Sequence, residues 1–317
     1  MVEPKLINAC DADFDEIALF QQWCFQTRSG ASERTTVQTP SYYLWKYTII
    51  GPAKIAQLRR EGALVAMCAA FPVQLSASGV RVTGWQICDI ATKPSERRKG
   101  FFQACLQVLS DSLSPADVFF GFPNRYSAPL LAERGWQAVE TLTSFAGIIP
   151  NARPIDHVHR LDRFGEAQDT LVGNLKTSDR LTIIKSSTYM NARYCSAHRP
   201  IYVCCALSDC SDYRGWIVLR TLNMFGVRVC IIMDFFAVDA VAKRMLLQHA
   251  GSWSRQQRCV ATISFNNKWG RFDLLRHGLV AIPSMIVPRP LVLMTARTAG
   301  LAGASRWLSY VGDWDGM

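Results

Sequence analysis

The chain has 317 residues, 35 Lys and Arg against 25 Asp and Glu, a formal net charge of +10 and 49% apolar residues. That is enough apolar material for a large core and suggests two domains, and it excludes disorder and collagen-like repeats. No apolar run reaches the ~18 residues needed to cross a bilayer; the longest, Val227 to Val238, is broken by Arg228 and Asp234, so no membrane span is expected.

The first residues lack a basic stretch followed by an apolar one, so no secretory signal is expected and the cytoplasm is the expected location. Most of the eleven cysteines, among them Cys68, Cys88, Cys204, Cys205 and Cys230, sit in apolar, strand-like runs and read as reduced thiols used as small hydrophobes. There is no Cys-x-x-Cys pair, and His157-x-His159 has no partners at ligand spacing, so no metal site is expected. The basic residues are dispersed apart from Arg97-Arg98-Lys99. That distribution suits a polyanionic small molecule better than a duplex, and no nucleic-acid partner is expected.

In chain order, Asp11, Asp13 and Asp15 ahead of Ile17, Leu19 and Phe20 predict an acid-rich helix start, with carboxylates at the positive end of the dipole. Thr27 to Pro40, rich in Ser, Thr and Gly, reads as a long loop. Strands follow over Ala63 to Phe71 and Val80 to Ala91, with Ser76 to Gly79 as their turn. Phe102, Cys105, Leu106 and Leu109 fall on one face of a helix over Phe101 to Leu113. A short strand from Val118 to Phe122 and a short helix from Ala128 to Glu133, stopped by Gly135, come next. The order predicts an α/β (α+β) fold, a mixed sheet with helices on both faces.

The two halves repeat. Ser41 to Tyr47 resembles Thr188 to Tyr194 at an offset of 147, and Trp85 to Ala91 matches Cys230 to Phe236 at 145. Phe122-Pro-Asn124 matches Phe265-Asn-Asn267 at 143, and Asn124 to Gly135 spans the same 11 residues as Asn267 to Gly278. Four matches in one order predict two copies of one fold, residues 1–150 and 174–317, joined by a linker over 151–173.

The segment from Asp89 to Phe102 carries the most chemistry. A strand ends near Thr92, a Pro-containing turn follows, and a helix opens at about Gly100. A helix entered through a basic, glycine-containing loop offers unpaired N–H groups to an anion, with Arg97, Arg98 and Lys99 adding charge. The same pattern also fits a solvated basic turn. Asp89 stands in an otherwise apolar strand, where a carboxylate is costly unless paired or functional. It is either a base or a structural carboxylate, and the parallel Asp234 supports the second reading.

Pro94 to Phe102 resembles the pyrophosphate loop of the GNAT acyltransferase superfamily, Gln/Arg-x-x-Gly-x-Gly/Ala, with Arg97 first, Gly100 fourth and Phe102 where a small residue is usual. Tyr43 to Tyr47, Gly121-Phe-Pro-Asn124 with Ser127, Gly135-Trp136, Tyr189 to Tyr194 and Trp307 to Asp315 extend the resemblance. They extend it to tandem-GNAT proteins of nucleotide-amino-sugar and polysaccharide biosynthesis. The resemblance implies two tandem GNAT-like domains. The first would be catalytic and bind acyl-CoA; the second, which lacks the glycine loop, would be degenerate.

The resemblance implies coenzyme A, as acyl-CoA, with its pyrophosphate on the loop from Arg97 through Arg98, Lys99, Gly100 and Phe101 to Phe102. Pantetheine would lie along Ile90, Ala91 and Thr92, with Asn124 at its edge. Asp89 would be the catalytic base, transferring an acyl group to the amine of a small-molecule acceptor, first of all a nucleotide-linked amino sugar, by direct attack in a ternary complex. An amino acid or peptide acceptor, and a non-catalytic acyl-CoA sensor, are the alternatives. Where the superfamily often has a tyrosine acid, this chain has Leu131, with Tyr126 the nearest substitute. Tyr43, Trp45 and Tyr47 read as core packing or as an acceptor platform; Phe101, Phe102 and Cys68 are candidates for an acyl tunnel; and Cys88 is not expected to act as a nucleophile.

Overall fold

The computed structural model describes residues 3–26, 38–150, 152–174, 180–196, 201–209, 212–224, 226–269, 274–283, 291–297 and 307–313. The first half runs β1 (Lys5–Asn8), α1 (Phe14–Gln26), α2 (Pro40–Leu44) leading into a π-helical turn (Trp45–Ile49), β2 (Lys54–Arg60), β3 (Ala63–Ala77) and β4 (Val80–Thr92). It continues with α3 (Phe101–Asp111), β5 (Val118–Gly121), α4 (Ser127–Ala132), β6 (Gln137–Thr141) and β7 (Thr143–Gly147). Then come β8 (Val158–Leu161), α5 (Glu166–Asn174), β9 (Leu181–Ile183), α6 (Ser187–Met190) with a second π-helical turn (Asn191–Cys195), β10 (Tyr202–Asp209), β11 (Asp212–Met224) and β12 (Val227–Ala237). The chain ends through α7 (Ala240–Gln256), β13 (Ala261–Asn266), β14 (Leu279–Ile282), β15 (Val292–Arg297) and β16 (Trp307–Leu308).

Local chemistry explains the main elements. Asp13 accepts the Glu16 N–H at 2.9 Å and caps α1. Glu61-Gly62 and Ser78-Gly79 hold positive φ at both positions, which suits the twist of two-residue hairpins between β2, β3 and β4. The predicted turn at Ser76 to Gly79 therefore tightens to two residues, and both strands are longer than the apolar runs suggested. Of the long loop expected from Thr27 to Pro40, residues 27–37 lie outside the described residues, and Pro40 opens α2.

The strands form two mixed sheets, ordered β1-β2-β3-β4-β5-β15-β6, with β9 and β16 attached, and β14-β7-β13-β12-β11-β10-β8. In each, a parallel pair is joined by a crossover helix: β4 with β5 around α3, and β12 with β13 around α7. On the first sheet, Ile17, Phe20 and Cys24 of α1 pack with Tyr43, Trp45 and Tyr47 on one face. Phe102, Cys105, Leu106 and Leu109 of α3 pack on the other. The mixed sheet with helices on both faces, occurring twice, is the expected fold.

The expected division of the chain needs correction. Strands β6 and β7 are separated by Leu142 alone, yet β6 lies in the first sheet and β7 in the second, between β13 and β14. In return β15, from the far end of the chain, lies between β5 and β6. Each crossover pair leaves one edge of β5 or β13 unpaired, and a strand from the other half fills it, so buried backbone groups are paired. A cut at residue 150 would strip a strand from both sheets. Nor are 151–173 a featureless linker: β8 pairs with β10 and α5 follows it.

Candidate active site

The crossover pair β4 and β5 is in register from Gly84↔Val118 to Ile87↔Gly121 and then parts. Gly121 is required there, because a Cβ would stand 2.4 Å from Ile87 Cγ2. Beyond the parting, β4 continues to Thr92 paired only with β3 among the described residues, and its register slips between Met67↔Ala91 and Ala69↔Cys88. Asp89 and Ile90 fall in this bulge, which re-aims side chains. Asp89 adopts φ +49°, a left-handed conformation uncommon for a residue other than glycine and often found where strain serves a site.

Asp89 is held from the first π-helical turn. Lys46 Nζ and Tyr47 Oη each lie 2.6 Å from Oδ2, and the Gln21 side chain donates to the Asp89 carbonyl at 2.9 Å. No hydrogen bond from the described residues falls on Oδ1. Burial and the negative charge of Asp89 push the Tyr47 phenol well above its ordinary value, so it stays protonated and donates. Asp89 is 15% exposed and Lys46 1%. A charged pair with one open oxygen is thus offered at the parting of the strands.

The basic loop follows. Lys93 to Glu96 make a tight turn, and Arg98 and Gly100 take φ +66° and +79° before α3 begins. Gly100 is the N-cap of α3 and offers no side-chain cap, which leaves the first N–H groups of the helix for a ligand. A Cβ at Gly100 would meet nothing within 4 Å, so φ, not crowding by the protein, requires glycine. Arg98 is exposed, and Lys99 pairs with Glu96 at 2.9 Å while remaining 44% exposed.

Other expected ligands have other work. The Arg97 guanidinium donates to the carbonyls of Thr92 and Cys24, both at 3.3 Å, and braces the loop against α1. Ala91 and Thr92 pair with Met67 and Ala66. Phe101 and Phe102 pack under α3 with Cys68, which is fully buried, so neither Cys68 nor Phe102 lines an open tunnel. Asn124 Oδ1 accepts the N–H groups of Tyr126 and Ser127 at 2.9 and 3.1 Å, serving the turn into α4. Tyr43, Trp45 and Tyr47 are buried, which agrees with core packing and leaves no acceptor platform. Tyr126 is exposed, and its hydroxyl takes a hydrogen bond from Arg125 at 2.6 Å. Leu131 is buried.

The second copy keeps the frame and closes the slot. Asp234 sits at the matching place on β12, 1% exposed, held by Lys185 Nζ at 2.7 Å, Trp216 Nε1 at 2.9 Å and Tyr194 Oη at 3.3 Å. Lys185 also pairs with Asp313. α7 is capped by Asp239, which accepts the Ala242 N–H at 2.7 Å, and Lys268 lies over the ring of Phe236, 4.6 Å away. Among the described residues there is no cluster able to hold a metal ion, and no helix is long and apolar enough to cross a membrane.

Residues 5–139 match the family model described as an acetyltransferase (GNAT) domain. The matched stretch runs from β1 into β6 and contains the bulge, the loop and α3. Solved structures agree on the fold across most of the chain. A conserved protein of Enterococcus faecalis aligns at TM-score 0.64 with 12% identity, over 92% of this chain and 72% of its own. A GCN5-related N-acetyltransferase from Anabaena variabilis aligns at 0.63 with 11% identity, over 92% and 72%. Saccharomyces cerevisiae N-myristoyltransferase with bound myristoyl-CoA aligns at 0.58 with 10% identity, over 93% and 83%. No curated protein matches the sequence.

Within this GNAT fold, sequence reasoning missed the partners of Asp89. The signal was present: a tyrosine precedes the aspartate by 42 residues in one copy (Tyr47, Asp89) and by 40 in the other (Tyr194, Asp234). In both copies the tyrosine reaches that aspartate.

Proposed function

We propose that the protein is an acyl-CoA-dependent N-acyltransferase that acylates the amine of a small acceptor, with Asp89 as the group that meets the amine. The observation that carries this reading is the open Oδ1 of Asp89 at the parting of β4 and β5, beside a helix start without a side-chain cap. The donor set fits a pyrophosphate: the N–H groups at the start of α3, with Arg98 and Lys99 exposed beside them. The thioester supplies an activated acyl carbonyl and a thiolate able to leave. Arg97 keeps the loop in shape, the β4 edge from Ile90 to Thr92 receives the extended arm, and Asn124 orients the turn facing it.

Asp89 performs two tasks in this scheme. Its carboxylate draws an ammonium to the mouth of the slot, and Oδ1 accepts the proton that the amine must lose to attack. Lys46 and Tyr47, both on Oδ2, fix the carboxylate so that Oδ1 faces the acceptor. Among amines, the resemblance to nucleotide-amino-sugar transferases makes a nucleotide-linked amino sugar the first acceptor to try. Transfer would follow by direct attack in a ternary complex, since Cys88 is buried.

The test is Asp89→Asn, which preserves shape and removes basicity. Turnover should fall ~10²–10⁴-fold with acyl-CoA affinity nearly unchanged. Lys46→Met, which breaks the same ion pair and leaves the carboxylate, is the control. If Asp89→Asn folds and turns over like the wild type, or loses no more than Lys46→Met, Asp89 is not the base.

A further inference from the structure

The second π-helical turn ends on a thiol that faces another. Cys195 Sγ and Cys204 Sγ, the latter on β10, lie 3.9 Å apart and share a hydrogen bond, and both are free thiols. Cys204 is buried among Met190, Tyr194, Tyr202 and Trp216, whereas Cys195 is only partly buried. The hydrogen bond to Cys204, outweighing burial, lowers the Cys195 thiol from its ordinary value, and the same bond together with burial raises Cys204. One sulfur is therefore accessible and more readily a thiolate, and its neighbour is held beside it. A disulfide needs an S–S distance of about 2.05 Å, so the sulfurs have to close by about 1.9 Å.

We propose that Cys195 and Cys204 form an oxidation site that takes hydrogen peroxide and becomes an intramolecular disulfide. The Cys195 thiolate attacks one peroxide oxygen; the S–O bond forms, the O–O bond breaks, and hydroxide leaves to be protonated to water. The Cys204 sulfur then attacks the Cys195 sulfenic acid; the S–S bond forms, and the S–O bond breaks to release a second water that carries the Cys204 proton. Two thiols and one peroxide give one disulfide and two waters.

The modification acts on a turn with long-range contacts. Ala192, three residues before Cys195, accepts the Trp45 indole N–H at 2.7 Å, and Arg193 donates to the Gly312 carbonyl at 2.9 Å. Trp45 is the residue before Lys46 and Tyr47, which hold Asp89. The disulfide would fasten the back of that support to the second sheet.

The experiment treats the full chain with one equivalent of peroxide, digests it without reductant and maps the peptides by mass. The expected result is a bridged pair of peptides carrying Cys195 and Cys204, two hydrogens lighter than the separate peptides, and restored by dithiothreitol. In Cys204→Ala the sulfenic acid should persist on Cys195 and be trapped by dimedone, a trap that labels the wild type far less; Cys195→Ser should give neither product. Because Cys204 is buried, circular dichroism confirms the fold of that variant, and Cys195→Ser, at the more accessible position, tests the bridge independently. Dimedone labelling of wild-type Cys195 as heavy as in Cys204→Ala, or oxidation that leaves both thiols free, overturns the proposal.

Discussion

Gly100 separates conformational from electrostatic effects at the proposed anion site. Its φ of +79° strains any L-residue, while a Cβ there meets nothing within 4 Å. Gly100→Ala and Gly100→Asp therefore share the backbone penalty, roughly 1–2 kcal/mol of folding stability, and differ in charge. A carboxylate ~4 Å from a phosphate at an effective dielectric of ~20 costs about 4 kcal/mol, roughly a thousandfold in affinity. Calorimetric titration with coenzyme A should give near wild-type affinity for Gly100→Ala, within about tenfold, and a loss of about a thousandfold for Gly100→Asp. Raising the ionic strength should weaken wild-type binding, because Arg98 and Lys99 are exposed. If Gly100→Asp binds like the wild type, the pyrophosphate does not lie at α3. If Gly100→Ala loses as much as Gly100→Asp, the loss is conformational and the charge argument fails.

Two further outcomes concern the second half. Lys185→Met leaves Asp234 and Asp313 buried without the cation they share, so a urea midpoint equivalent to a loss of ~3–5 kcal/mol is expected; a loss below about 0.5 kcal/mol would remove the ion network as a support. Burial holds the Lys268 ammonium down to about 8 from 10.5, so between those values the unfolded chain binds more protons and the contribution of Lys268 to stability rises with pH. Lys268→Met should be more stable than the wild type near pH 7, by at most about 3.5 kcal/mol at ~1.4 kcal/mol per pKa unit, with the advantage shrinking as pH rises above 8. An advantage independent of pH from 7 to 9.5 would contradict this.

What could be read from the sequence was local. Asp13 at the start of α1, Ser78-Gly79 between strands, Gly100 before α3 and Gly135 after α4 each declare themselves through backbone chemistry that a few residues determine. The exchange of β7 and β15 does not, since an alternating strand carries no local mark of the sheet that will take it. Pairing between strands more than a hundred residues apart is decided by which edge is left open. Charge was visible at Arg97, but its direction was not: the guanidinium turns to two carbonyls. The repeat is legible in the sequence, one residue out at the asparagine. Asn124 accepts N–H groups from residues two and three further on, and so does Asn266, from Lys268 and Trp269. The counterpart of Asn124 is thus Asn266; the adjacent Asn267, alike in sequence, binds Trp307 and Ser309 instead.

The two copies also bear on how the candidate base should be judged. A tyrosine and a lysine on an aspartate at the bulged strand would, in isolation, suggest a site built for catalysis. The second copy carries a trio of the same residue types, Tyr194, Lys185 and Asp234, where the aspartate is 1% exposed and α7 is capped by Asp239. The tyrosine is shared by the frame, but the lysine comes from a different place in each copy, from the π-helical turn as Lys46 and from the segment before α6 as Lys185, so a cation on this carboxylate alone carries no functional weight. What separates Asp89 from Asp234 is what has been left off: among the described residues there is no indole on its second oxygen, no side-chain cap on the helix and no counterpart of the lysine over Phe236. Activity is expected where the shared frame is left open, and filling the first slot should silence it while leaving the fold intact.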